Sequence, residues 1–286
     1  MAESEERLRV LARIREYESQ GLFNTDVEED DPPIPIKPGE VDYTNRKLSS
    51  KMKTALANAM GKAFFENMIR QNKLIIKEVR GLENATAVTG GAIVTCNHFH
   101  LSDNYVVYKT IRPALKKHHY LYKVIKESNY TNFKGPVRLM MRHGNTLPLS
   151  QKLSCMKEFY GAMETLLHRG EKILIYPEQA MWFNYRKPRP LKAGAFHFAA
   201  KFGVPVIPVF IGMKDSSYLD DNGFSVQELY VHYLPPIYPD GSLGLRGNTQ
   251  IMMEKNYELW VETYEDFYGE ELTYSSALQP ASKPLS

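Results

Sequence analysis

A chain of 286 residues with 43% hydrophobic and 24% charged residues is long enough to bury a substantial core and too ordinary in composition to be disordered. No run approaches the ~18–20 uninterrupted apolar residues a spanning helix needs, and the terminus MAESEERLRV lacks the basic-then-apolar plan of a secretory signal, so a cytoplasmic location is expected. The net charge of +3 is too mild to demand nucleic acid, and two cysteines, Cys96 and Cys155, give neither a disulfide framework nor a metal-ligand spacing.

Leu8, Leu11, Ile14 and Tyr17 recur at helical spacing and stop at Gly21, which predicts a short amino-terminal helix. Acidic residues and then Pro32, Pro33, Pro35 and Pro38 follow, a composition that reads as a linker closing a first unit, 1–40. In a second unit, 41–80, Leu48, Met52, Leu56, Met60, Phe64 and Met68 fall four apart and predict an amphipathic helix from Arg46 to Arg70. Arg46, Lys47, Lys51, Lys53 and Lys62 precede its first acid, Glu66. Two fates fit: the apolar stripe packs on the main domain, or the helix binds an anionic bilayer surface.

From 81 to 270 short apolar runs alternate with helical stretches. AIVTC, HYLYKVI, NTLPL, KILIYP and VPVIPVFIG read as strands, with helices between them, a further strand at 225–234 and a closing helix carrying Met253, Tyr257, Trp260, Tyr264 and Phe267. The pattern predicts an α/β fold: a single domain with a central mixed sheet flanked by helices, plus the amino-terminal helical element. Pro205 and Pro208 mark VPVIPV as an edge strand or a strand end. Residues 271–286 read as a flexible tail.

Candidate chemistry begins directly after AIVTC, in NHFHLSDNY. His98 falls at the mouth of a strand and Asp103 five positions on, at the edge of the sheet where ligands bind in open α/β folds. A histidine there can take a proton from an attacking hydroxyl, provided a carboxylate holds its other nitrogen. The same spacing also fits Asp103 as a helix cap and His98 as a loop residue. KILIYP ends in Pro177–Glu178, again at a strand end, and Lys192 stands ahead of Gly194 at a small-residue helix start that suits a phosphate or carboxylate. Lys109, Arg112, Lys116, Lys117, Lys123 and Lys126 run without an intervening acid, a stretch suited to coenzyme A phosphates, an acidic carrier protein or a bilayer. Cys96, beside His98, opens a thiol-nucleophile alternative, disfavoured because neighbouring strand side chains point to opposite faces.

Order, spacing and context resemble the glycerolipid acyltransferase family that includes lysophosphatidic acid acyltransferases. Asn97, His98 and Asp103 match its N-H-x-x-x-x-D motif, and Tyr176–Pro177–Glu178 matches part of F-P-E-G-T-R. Lys192, Gly194 and Ala195 match K-x-G-A, and Val204 to Val209 the closing V-P-[IV]-x-P-V strand, so the resemblance covers about residues 75 to 235. It implies acyl transfer from acyl-CoA or acyl carrier protein to a lysophospholipid hydroxyl, with His98 and Asp103 catalytic, a hydrophobic tunnel for the acyl chain, and no metal or other cofactor. It also implies substrate contacts from Asn97, Asn145, Thr146, Glu178, Lys192 and Gly194, and peripheral association with the inner face of a membrane.

The chain departs from the family where phosphate-binding arginines are expected. RHGNTLPLS places Arg142 on the wrong side of the second motif, and PEQAM replaces PEGTR in the third. Arg186, Lys187, Arg189 and Lys192 lie near enough in sequence to compensate. The departures keep other readings open: a glycolipid or amino-lipid acceptor, a thioesterase or lipid hydrolase, or an inactive lipid-binding protein.

Overall fold

The computed structural model describes residues 4–29 and 31–276. Helices α1 (Glu5–Gln20) and α2 (Leu48–Arg70) precede β1 (Ile75–Arg80), α3 (Leu82–Thr86), β2 (Ala92–Cys96) and α4 (Asp103–Ile111). There follow β3 (Leu121–Lys126), α5 (Glu127–Thr131), α6 (Gly135–His143), β4 (Thr146–Leu149), α7 (Leu153–His168) and β5 (Lys172–Ile175). The chain continues through α8 (Gly194–Phe202), β6 (Val206–Leu219), β7 (Ser225–Tyr233) and α9 (Leu245–Tyr268).

Among the described residues the strands form one sheet in the order β1-β7-β6-β2-β5-β3-β4. It is mixed, as expected: β6 and β7 pair antiparallel and every other pairing is parallel. Every residue of β2 is buried, which is why AIVTC is a continuous apolar run and not an alternating one. One face of the sheet packs Val94, Cys96, Leu174 and Ile207 against α4 residues Val106 and Val107. The other packs Ile93, Ile173 and Val206 against Phe159 and Met163 of α7, Phe196 of α8 and Met252 of α9.

Three expectations are corrected. VPVIPV begins β6, so its prolines do mark a strand end, but β6 is no edge strand: it lies inside the sheet between β2 and β7. Pro208 is tolerated because its carbonyl accepts from Leu234, just past the end of β7, so its missing N–H falls where the ladder has ended. Residues 22–43 are no linker: Phe23, Val27, Ile36 and Tyr43 are buried, and the segment crosses the domain as an extended strap. Prolines suit it because its N–H groups are bonded to side chains, Ile36 N to Glu127 and Gly39 N to Glu158, and not to a ladder. Residues 271–276 also pack, with Tyr274 against Phe23 and Ser275 N donating to Glu18; the rest of the tail lies outside the described residues.

Helix α2 settles the choice of face. Its packed side is Ser50, Thr54 and Ala57, with Phe65 stacked on Tyr105 of α4, whereas Leu48, Met52, Leu56 and Phe64 are exposed. The four-apart stripe therefore faces outward at Leu48, Met52, Leu56 and Phe64, is half-buried at Met60, and turns inward at Met68, which packs against the core.

Candidate active site

The site is built at the carboxyl ends of neighbouring strands β2 and β5. The loop after β2 carries His98, and its Nδ1 lies 2.7 Å from Asp103 Oδ2. Asp103 is wholly buried while the His98 side chain keeps 17% of its surface, so the imidazole alone meets the outside. Asp103 does not cap its helix: Oδ2 also accepts from Phe99 N and His100 N, and its other oxygen accepts from the Tyr176 hydroxyl at 2.8 Å. An ionised carboxylate only accepts, so with Asp103 ionised His98 Nδ1 carries the hydrogen and Nε2 is the ring nitrogen left able to accept one.

Tyr176 is the residue that sequence reasoning missed. It follows β5, stacks on the His98 ring with centroids 3.9 Å apart and planes 16° apart, and donates to Asp103. Burial first, then the Asp103 charge, pushes its hydroxyl well above the usual phenol range, so it stays a donor. The available signal was the tyrosine standing where F-P-E has phenylalanine. Tyr176→Phe keeps the stack and removes the donor; it is expected to lower kcat/KM about tenfold with an unchanged melting temperature, measured by steady-state kinetics beside thermal denaturation.

Behind the imidazole, Glu178 and Arg189 form an ion pair of 2.8 Å in which both residues are 1% exposed. Glu178 accepts from His98 N at 3.0 Å and from Arg189 N at 2.8 Å. The His98 carbonyl accepts from Trp182 N and from Arg189, and Arg189 donates further to Ala180 O and Phe23 O. The pair thus clamps the backbone of His98 from both sides and ties it to the strap, whose Thr25 carbonyl accepts from Trp182 Nε1.

The predicted substrate contacts divide. Asn97 is buried with both ends of its amide on the Ile211 backbone, and the carboxylate of Glu178 is engaged as above, so the polar atoms of both serve the scaffold. Asn145, at φ 57°, is buried with its Oδ1 unpaired, and the Thr146 hydroxyl donates to Met141 O while the residue lines a hollow. Lys192 is exposed beside the Pro177 carbonyl, and the exposed Gly194 opens α8. Of the compensating cations, Arg186 pairs with Asp215, Lys187 with Glu18 and Arg189 with Glu178. The basic run is dispersed, Lys109 onto Glu66 and Lys126 onto Asp26. Cys96 is fully buried, and burial pushes its thiol well up, which removes it as a nucleophile.

On the sheet face that carries His98 and Tyr176, a hollow of about 130 Å³ lies between α2, α4, α6 and β3. Leu101 and Asn104, flanking Asp103, form part of its wall, and Phe65, Tyr108, Ile125 and Met140 make it largely apolar. A deprotonating nitrogen on a rigid strand end next to an apolar hollow suits proton abstraction from an alcohol of a lipid.

Comparison with known proteins gives two findings. The family model described as Acyltransferase matches residues 77–212. Among solved structures, the 1-acyl-sn-glycerophosphate (LPA) acyltransferase PlsC from Thermotoga maritima is similar with a TM-score of 0.52 and 18% identity, over 80% of this chain and 86% of that one. No curated protein sequence matches the chain.

Proposed function

We propose that this chain, which matches the Acyltransferase family model over residues 77–212, is a glycerolipid acyltransferase that moves an acyl group from acyl-CoA or acyl carrier protein to the hydroxyl of a lysophospholipid such as 1-acyl-glycerol-3-phosphate. The observation that carries the reading is the 2.7 Å contact between His98 Nδ1 and a fully buried Asp103, set beside an apolar hollow. Nε2 takes the acceptor proton as its oxygen attacks the thioester carbonyl. The tetrahedral intermediate collapses, the carbon–sulfur bond breaks, and the imidazolium returns the proton to the departing thiolate. Asp103 holds the ring and offsets the imidazolium charge.

The test is thiol release and product mass, with acyl-CoA and acyl carrier protein as donors and a panel of lysophospholipids, glycolipids and amino-lipids as acceptors. Release that depends on an acceptor and yields an acylated lipid supports transfer. Equal release without acceptor makes the protein a thioesterase, and none with any pair makes it a binding protein.

Membrane contact belongs to the same reading. Among the described residues no helix is long and apolar enough to cross a membrane. The outward stripe Leu48, Met52, Leu56 and Phe64, with Lys47, Lys51 and Lys53 at its amino-terminal end, supports peripheral attachment to the inner, anionic face of a bilayer. Replacing the three lysines by glutamate is expected to reduce sedimentation with anionic vesicles at least tenfold at low salt, at roughly 1 kcal/mol lost per lysine. Unchanged sedimentation assigns the helix a purely structural role.

A further inference from the structure

The hollow beside His98 contains one group that acyl transfer does not use. Leu121, Lys123 and Ile125 alternate along β3 and all three line the hollow, so the middle of an apolar stripe is an amine. Phe65, Tyr108 and Met140 add apolar wall, and Asn58, Asn104 and Thr146 line the hollow as well. Among the described residues no carboxylate, hydroxyl or carbonyl partners the Lys123 amine, and burial alone holds it down, to about 8. Lys62 lines the hollow too but is exposed, and it leaves no charge effect on Lys123.

Register gives the position of this amine relative to the chemistry. Lys123 pairs with Leu174, and Tyr176, on which His98 stacks, comes two residues later on that strand. The two positions are therefore separated by about 7 Å along the sheet and about 5 Å across it. A chain whose carbonyl is at His98 and whose tail enters the hollow comes abreast of Lys123 after roughly half a dozen carbons, each carbon–carbon bond of ~1.5 Å advancing it by slightly less than its length. Methylenes laid over an unpaired ammonium strip its water and return no hydrogen bond, whereas a shorter chain leaves that water in place.

We propose that Lys123 sets the acyl specificity of the site, closing the hollow to long unsubstituted chains and favouring short acyl groups. This rests on the acyl-transfer reading, and its test is kept separate by using ligands that cannot transfer. Binding of S-hexyl-CoA and S-dodecyl-CoA thioethers to the full-length protein is measured by calorimetry. The wild type is expected to bind the hexyl ligand at least as tightly as the dodecyl, and Lys123→Met to improve dodecyl binding relative to hexyl by about ten- to a hundredfold. Lys123→Arg, which keeps a cation, is expected to retain the wild-type order, and thermal melting of both variants checks their fold. A wild type that prefers dodecyl, a Met variant with an unchanged ratio, or no binding of either thioether overturns the gate. Tighter binding of an ω-carboxyhexyl thioether than of the hexyl one also overturns it, by making the amine an anion seat. A chain-length order that holds in a protein without transferase activity leaves the gate standing and counts against the transfer reading alone.

Discussion

His98→Ala is expected to lower kcat/KM for acyl transfer by about 10³-fold while thermal stability stays near that of the wild type. A positioned general base contributes roughly 10²–10⁴-fold, and here the imidazole keeps accessible surface while the carboxylate that orients it is wholly buried. Its removal leaves the backbone clamp intact, because Glu178, Arg189 and Trp182 hold the main chain of residue 98 and not its ring. Steady-state kinetics with a donor thioester and the best acceptor found in the screen provide the measurement. A variant retaining more than about a tenth of the wild-type kcat/KM would remove His98 from the role of base, since such a loss is smaller than general-base catalysis supplies.

Arg189→Leu is expected to have the largest effect on stability. It strips the partner from a carboxylate that is itself 1% exposed, and breaking a buried pair by removing one member costs about 3–5 kcal/mol. In a domain of this size that corresponds to a fall in Tm on the order of 10 °C, readable by calorimetry. Activity should fall as well, because the guanidinium also bonds the His98 carbonyl and the strap carbonyl of Phe23. The double variant Glu178→Leu, Arg189→Leu should recover part of the lost stability, since no charge is then stranded. A single variant melting within about 2 °C of wild type would show that water relieves the carboxylate and that the pair is not a structural clamp.

These expectations show how far the sequence could be read. The alternation of apolar runs and helical stretches gave the α/β domain because parallel strands buried on both faces are nearly continuous in apolar residues, as β2 is save for Thr95, whose hydroxyl is bonded to Asn256. His98 and Asp103 were legible because a loop of six residues brings a strand end back to a helix start. The roles of Tyr176 and Arg189 were not, because each depends on a partner more than seventy residues away in the chain. Arg189 looked like a phosphate ligand by charge alone, yet its burial beside Glu178 assigns it to the scaffold. Periodicity located α2 but was silent on orientation: a stripe of spaced apolar residues is the same pattern whether it meets a core or a bilayer. The strap was misread for a related reason, since proline-rich composition excludes a ladder but not burial.

The strap also bears on how the chain reaches this state. Ser4 is bonded to Asn222, Thr25 to Trp182, Phe23 to Arg189 and Glu18 to Ser275, so α1 and the strap are held by partners far later in the chain. Contacts of such long sequence separation close slowly, because the loop entropy is lost before any contact compensates for it. The ordering of the Pro–Glu turn, and with it the placing of the His98 ring, is therefore expected late in folding, and a nascent chain halted before residue 189 emerges lacks the clamp on the His98 backbone.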